Sequence, residues 1–194
     1  MGYVKMRAIA EELEAFAEAL EGTWRAEIGP SGPVLAMRRP SNRHQGTLHR
    51  IREQLDAQLP TTHPGHVCAN GPLIERPAIA RMRRPDAVVI PEAVLDEEGL
   101  AVDSTHVLAV VEILPPSAPN HDLIEKLADY PAMGIPCFMI VGPRKGTIEV
   151  HSDPSRGRYR HTESYIYGDK VPFGPWTVET DDFRRYGKAG DRTD

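Results

Sequence analysis

The chain has 194 residues, two cysteines and a net charge of −5. The acidic balance argues against a constitutive, non-specific nucleic-acid binder. No run approaches the ~18 apolar residues of a membrane span, and Cys68 and Cys137 lack a CxxC spacing. We therefore expect a cytoplasmic protein without a membrane partner. The length predicts one domain over 1–194, divided into an N-terminal helix and hairpin (1–40), a core (41–152) and C-terminal strands (153–194).

The first third of the chain predicts two helices around a hairpin. An apolar stripe over residues 7–20 indicates a helix that stops at Gly22. The segment "TWRAEIGPSGPVLAM" predicts two strands joined by a Gly-Pro-Ser-Gly turn. Ser41 or Asn42 is a candidate N-cap for a second helix, and Pro60 is expected to end it.

The middle of the chain predicts strands that alternate with a helix. "DAVVI" and "HVLAVVEIL" are continuous apolar runs, typical of buried strands. A helix over residues 119–133 follows, and "PCFMIV" indicates another buried strand. Later segments predict paired strands, a last strand and a short terminal helix. We expect an α/β fold in which a mixed β-sheet has helices on both faces.

Two acids interrupt or begin these apolar runs. Glu112 lies inside "VLAVVEIL" and Asp86 lies directly before "AVVI". A carboxylate buried alone costs several kcal/mol, so each must reach an exposed strand end or meet a cation. Two carboxylates at neighbouring strand ends suit Mg²⁺ or Mn²⁺. The alternative is that each acid only caps its strand and contacts solvent.

The predicted helix after Glu112 carries a lysine on a defined face. Asp122, Lys126 and Tyr130 follow one another at intervals of four residues, so they share that face. The helix returns across the strand that bears Glu112, and Lys126 can therefore point toward the acids. The alternative is a surface pair between Asp122 and Lys126, worth about 0.3 kcal/mol.

Arginines gather in two stretches of the sequence. Phosphate binding and ordinary solvation both explain such clusters, and solvation is the more common case. The residues are Arg38, Arg39, Arg43, Arg50 and Arg52 in the first stretch and Arg81, Arg83 and Arg84 in the second.

The combined motifs resemble the Uma2 family of restriction endonucleases, which belongs to the PD-(D/E)XK nuclease superfamily. The resemblance rests on "RPDAVVI", on "VVEILPPS" and on the spacing of the helix residues after Glu112. "WRAEIGPSGPVLAM" resembles the family's hairpin and aligns Glu27 with the family's glutamate. "RRPSNRHQ" resembles its helix start and aligns His44 with the family's histidine. The resemblance implies a restriction-endonuclease-like fold.

By that resemblance, the protein is a metal-dependent DNA endonuclease that hydrolyses phosphodiester bonds. Asp86 and Glu112 would bind Mg²⁺ or Mn²⁺, and Glu27 would complete the metal or water shell. Leu114 occupies the superfamily's usual lysine position, and Lys126 would supply that amine from the helix. A homodimer is the arrangement that double-strand cutters often adopt. The candidate substrate contacts are Arg43, His44, Ser117, Asp122 and Tyr130.

Two other functions stay open from the sequence. One is a nuclease-fold protein with weakened catalysis that binds DNA or protein, which the acidic net charge and the altered "LPPSA" turn favour. The other is a hydrolase acting on a different phosphoester.

Overall fold

The computed structural model describes residues 2–38, 41–115 and 120–187. Three helices are described: α1 (Tyr3–Ala17), α2 (Asn42–Thr62) and α3 (Asn120–Ala132). The strands, in chain order, are β1 (Thr23–Gly29), β2 (Gly32–Arg38), β3 (His66–Asn70), β4 (Ile74–Arg76), β5 (Arg81–Arg83), β6 (Ala87–Pro91), β7 (Val102–Asp103), β8 (Ala109–Ile113), β9 (Cys137–Gly142), β10 (Thr147–Ser155), β11 (Arg158–Ile166), β12 (Lys170–Phe173) and β13 (Trp176–Glu179).

A six-stranded mixed sheet forms the centre of the protein. Its strand order is β11-β10-β9-β8-β6-β3, with β8 and β9 parallel and the other pairs antiparallel. All five residues of β8 are buried, as expected for a strand covered on both faces. The parallel crossover between β8 and β9 runs through α3, which therefore packs back on the sheet.

Side chains that alternate along the strands divide the core between the two faces. Val89 and Val111 pack with Leu55 of α2 and with the β12–β13 hairpin. Val110 points the other way and packs with Tyr130 of α3. This period of two is the geometry of a pleated strand. The predicted mixed α/β fold with helices on both faces of a sheet is confirmed.

A second sheet of five strands has the order β2-β1-β5-β4-β7. Met82 of β5 packs with Ala10 of α1, while its neighbours Arg81 and Arg83 turn to the opposite side and meet Asp129 of α3. The second sheet therefore lies between α1 and α3. It places β1 and β5 beside the helix that follows Glu112.

Three local expectations from the sequence are wrong. Helix α2 continues past Pro60 to Thr62, because one missing hydrogen bond in a last turn does not outweigh the packing of Leu55 and Leu59. Helix α1 ends at Ala17, before the expected stop at Gly22, and Phe16 of the apolar stripe is 66% exposed because the helix buries Ala10 and Ala17 instead. The expected terminal helix is not found among residues 180–187, which form a turn and irregular chain.

Within the described segments, no helix is both long and apolar enough to cross a membrane. Cys68 and Cys137 are both buried, reduced thiols. Burial raises the pKa of Cys68 to about 12, so this thiol stays protonated. Both cysteines belong to the core on the α2 face of the sheet.

Candidate active site

Glu112 lies in β8 and meets two side chains of α3. Its Oε1 atom is 2.9 Å from the Nζ atom of Lys126 and accepts a hydrogen bond of 2.5 Å from the hydroxyl of Tyr130. Glu112 is 6% exposed and Lys126 is 3% exposed. Lys126 and Tyr130 are four residues apart, one helical turn, so both reach the same carboxylate. We call these three residues the Glu112 cluster.

The hydroxyl of Tyr130 remains protonated over the whole physiological range. Burial raises its pKa well above the usual value, and the neighbouring carboxylates of Glu112 and Glu27 add to the shift. A protonated hydroxyl donates to the carboxylate, and a charge-assisted bond of this kind is short and strong. Tyr130 therefore fixes the orientation of Glu112.

Asp86 lies one residue before β6, next to Glu112. Ala87 pairs with Val111 across β6 and β8, so Asp86 and Glu112 are the next residues of these strands beyond that pair. The Oδ2 atom of Asp86 accepts a 2.7 Å hydrogen bond from the backbone N–H of Ile113. This bond ties Asp86 to the strand that bears Glu112.

His44 approaches Asp86 from α2. Its Nε2 atom is 3.3 Å from Oδ1 of Asp86, and both side chains are about nine-tenths buried. Ser41 caps this helix, because its hydroxyl oxygen accepts a 3.2 Å hydrogen bond from the backbone N–H of His44. The cap holds the first turn of α2, and with it His44, against Asp86.

Glu27, in β1, belongs to a neighbouring ionic cluster around Arg83. The Oε2 atom of Glu27 is 3.1 Å from Nη1 of Arg83. Arg83 donates from Nε and Nη2 to Oδ2 of Asp129, at 2.8 and 2.6 Å, and from Nη2 to Oε2 of Glu125 at 2.8 Å. Arg81 adds a 2.5 Å contact to the other oxygen of Asp129. We call Arg83, Glu27, Glu125 and Asp129 the Arg83 cluster.

The charges within the Arg83 cluster stabilise one another. Burial alone would lower the pKa of Arg83, but Glu27, Glu125 and Asp129 outweigh it and raise the pKa above its ordinary value. Arg83 is fully buried, and Glu27 and Asp129 are each 2% exposed. A cation buried this deeply is tolerated because three carboxylates surround it.

A cleft of about 400 Å³ connects the two clusters. Asp86, Glu112, Lys126, Glu27 and His44 all line it. The structure thus brings five predicted site residues to one cavity, although their catalytic roles stay predictions. The remaining lining includes Arg25, Arg84, Gln45 and Asn70.

The other predicted substrate contacts either do not line the cleft or have side chains outside the described part of the chain. Arg43 is exposed and donates to the backbone carbonyl of Arg185 at 2.7 Å, outside the residues that line the cleft. Tyr130 is fully buried, so its side chain is not exposed to a substrate in the cleft. Ser117 lies outside the described residues, and Asp122 lies in α3 with a side chain outside the description.

No local pattern in the sequence indicates that Arg83 is central. It lies in "RMRR", which resembles a solvated surface cluster. Period-two alternation in β5 sets Arg81 and Arg83 on one face, opposite Met82. The signal that could have indicated the cluster is a pair of acids four residues apart on α3. These acids, Glu125 and Asp129, contact Arg83.

Two carboxylates of different strands, rather than a larger cluster, are the metal-ligand candidates. In residues 2–38, 41–115 and 120–187, no group of three or more His, Cys, Asp and Glu side chains is gathered for a metal ion. Asp86 and Glu112 offer oxygen atoms, the ligand type of hard divalent cations. Mg²⁺ in particular is often bound by only one or two carboxylates, with water and substrate phosphate completing its shell.

Comparisons with known proteins agree with this architecture. The crystal structure of "a putative nuclease belonging to DUF820" from Anabaena variabilis ATCC 29413 superposes with a TM-score of 0.61 at 14% sequence identity, covering 82% of this chain and 87% of that one. At this identity the likeness shows the fold alone. No curated protein matches the sequence. The model of the Uma2 family, described as "Putative restriction endonuclease", matches residues 10–174. The chain therefore belongs to the Uma2 family.

Proposed function

We propose that the protein is a metal-dependent endonuclease that hydrolyses phosphodiester bonds of DNA. The observation that carries this proposal is the 2.9 Å contact between Lys126 and Glu112 in a cleft that Asp86 and Glu27 also line. A lysine and several carboxylates at one cavity wall can serve metal-assisted phosphoester hydrolysis, the carboxylates as metal ligands and the lysine as a stabiliser of developing charge. The family's description as restriction endonucleases supports DNA as the substrate.

Asp86 and Glu112 would hold a divalent cation, Mg²⁺ or Mn²⁺. Glu112 lies in β8 and Asp86 lies directly before its partner strand β6; both border the same cleft, and their oxygens suit a hard cation. When bound, such an ion polarises the phosphate and lowers the pKa of a coordinated water. The hydrogen bond from Ile113 and the hydroxyl of Tyr130 keep the two carboxylates in place before the ion arrives.

Lys126 would stabilise the negative charge that develops on the phosphate in the transition state. Its ammonium is nearly buried, so little water screens it and its electrostatic effect is larger than at a surface. Glu27, oriented by Arg83, would position the attacking water. No covalent intermediate is required for this reaction.

The wider cleft supports binding of a phosphate backbone. Arg25 and Arg84 line it together with Lys126, so the cavity carries cations although the whole chain carries a net charge of −5. Arginine binds phosphate through two parallel hydrogen bonds. His44 borders the same space and is a candidate for a contact to substrate or water.

The proposal is tested by incubating supercoiled plasmid with the protein and Mg²⁺ or Mn²⁺. We expect nicked or linear DNA, no product in EDTA, and no product from Glu112→Ala. A Glu98→Ala variant serves as the matched control, since Glu98 is an exposed acid that does not line the cleft. Cleavage that persists in Glu112→Ala would overturn the assignment.

A second candidate function is a binding module with weakened catalysis. This function is favoured because two carboxylates already bind side chains of the protein. Glu112 contacts Lys126 and Tyr130, and Glu27 pairs with Arg83. If Lys126 binds Glu112 more strongly than a metal ion does, the protein keeps its cleft but does not hydrolyse DNA. DNA binding with no cleavage under any metal would establish this function and exclude the first.

We also propose that the active form on DNA is a homodimer. Enzymes that cut both strands of a duplex often do so with two active sites, which two copies of this chain would supply. Sedimentation of the protein with a short duplex should then give two chains per DNA. One chain per duplex, together with nicked products only, would contradict this.

A further inference from the structure

We propose that Arg83 is the positioning residue that holds α3 where Lys126 reaches Glu112. The inference rests on the proposed nuclease function and names a residue outside its reacting groups. Arg83 contributes no atom to the reaction in this account. Its effect passes through the helix that carries Lys126 and Tyr130.

Arg83 joins three elements in one fully buried contact. It lies in β5, pairs with Glu27 in β1, and donates to both Glu125 and Asp129 in α3. The guanidinium is rigid and planar, so its three nitrogen atoms set the helix at a fixed distance and direction from the second sheet. Arg81, from the same face of β5, binds the other oxygen of Asp129.

The two anchored acids are direct chain neighbours of the two residues that contact Glu112. Lys126 follows Glu125, and Tyr130 follows Asp129. Adjacent helical residues are offset by a fixed rotation and by a rise of about 1.5 Å. Fixing Glu125 and Asp129 against Arg83 therefore fixes the rotation and height at which Lys126 and Tyr130 meet Glu112.

Gly29 closes the remaining space around this contact. A Cβ atom built on Gly29 would lie 2.8 Å from Nη2 of Arg83 and 2.6 Å from Oε2 of Glu125. Both distances are shorter than real Cβ contacts, so in Gly29→Ala the ends of the Arg83 and Glu125 side chains must shift, and their contact is disturbed. The φ angle of Gly29 lies outside the left-handed region, so alanine fits the backbone there.

The first experiment follows Lys126 directly, without measuring cleavage. An amine-reactive ester is added to the folded protein, and modification of each lysine is timed by mass spectrometry. In the unmodified chain Lys126 should react slowly, because it is nearly buried and paired, whereas Lys170 is 72% exposed and calibrates the reagent. Gly29→Ala should accelerate modification of Lys126 at least about tenfold while Lys170 keeps its rate.

Two further variants serve the lysine-modification experiment, one as a control and one as an alternative to Gly29→Ala. Gly99→Ala is the matched control, because Gly99 is exposed and its added Cβ would make only an ordinary 3.6 Å contact. Glu125→Gln weakens one arm of the Arg83 cluster at a partly exposed position, for use if Gly29→Ala does not fold. Unchanged protection of Lys126 in both folded variants would overturn the inference.

The second experiment is a double-mutant cycle on plasmid cleavage. Gly29→Ala alone should lower kcat by about 100-fold with KM little changed, since a small misplacement of a catalytic group has this effect. In a Lys126→Met background the same substitution should lower kcat by a much smaller factor, because Lys126 is already gone and only the orientation of Glu27 by Arg83 is left to lose. Costs that simply multiply would show a general structural role and overturn the inference.

The two experiments separate the failure of this inference from the failure of the nuclease proposal. If the unmodified protein cleaves no DNA, the nuclease proposal fails, but the modification rate of Lys126 still decides whether Arg83 positions it. If the protein cleaves DNA and Lys126 stays protected in Gly29→Ala, the nuclease proposal stands and the role of Arg83 fails.

Discussion

The Glu112 cluster and the Arg83 cluster meet on one helix and differ in arrangement. In the Glu112 cluster an acid receives a lysine and a tyrosine on a single oxygen, at the wall of an open cleft. In the Arg83 cluster a fully buried cation is surrounded by Glu27, Glu125 and Asp129. Buried ion pairs often add little stability relative to apolar packing, whereas breaking one is costly. The Arg83 cluster therefore suits fixed positioning, and the Glu112 cluster suits chemistry.

Removing Asp129 should have the largest effect on stability. Asp129→Ala takes two hydrogen bonds from Arg83 and one from Arg81, and leaves cationic charge buried. We expect the free energy of unfolding to fall by about 3–5 kcal/mol. Chemical denaturation measures this value.

The matched control for Asp129→Ala is Glu179→Ala, which breaks an exposed pair with Lys170. An exposed pair contributes at most about 1 kcal/mol, and these side chains are 50% and 72% exposed. Equal losses for the two variants would contradict the structural role given to the Arg83 cluster.

Removing the amine of Lys126 should affect catalysis more than stability. Lys126→Met should lower kcat by about 10²–10³-fold, the usual cost of losing one group that stabilises the transition state. Stability should fall less than in Asp129→Ala, because Tyr130 still donates to Glu112 beside an open cleft. Plasmid cleavage and denaturation of the same preparation give both values. If Lys126→Met lost more stability than Asp129→Ala, the proposed division between a structural Arg83 cluster and a catalytic Glu112 cluster would be contradicted.

The smallest effect is expected for the hydroxyl of Tyr130. Tyr130→Phe removes one hydrogen bond to a charged group, worth about 1.5–3 kcal/mol of stability. Glu112 keeps Lys126, so kcat should fall less than in Lys126→Met. A loss of kcat equal to that of Lys126→Met would mean that the tyrosine takes part in the reaction itself.

The sequence predicted the elements that depend on local patterns. The apolar run around Glu112, the hairpin that bears Glu27 and the helix that bears Lys126 all follow from periodicity and turn residues. These patterns depend on neighbours within a few residues. The spacing of Lys126 and Tyr130 also indicated a shared face, and both contact Glu112.

The Arg83 cluster could not be predicted in the same way. Its members come from β1, β5 and α3, and up to 56 residues separate a contacting pair. Nothing in "RMRR" distinguishes a buried arginine from exposed ones, because burial depends on how the second sheet packs against α3. The division of the strands into separate sheets was missed for the same reason.

The proposed metal site is tested most sharply by a calorimetric titration of Mn²⁺ into the protein. If one metal ion lies between Asp86 and Glu112, binding should be measurable in the unmodified chain and lost in both Asp86→Asn and Glu112→Gln. The exposed control Glu98→Gln should bind as the unmodified chain does. Equal Mn²⁺ affinity in Glu112→Gln and the unmodified chain would contradict a metal site at Asp86 and Glu112.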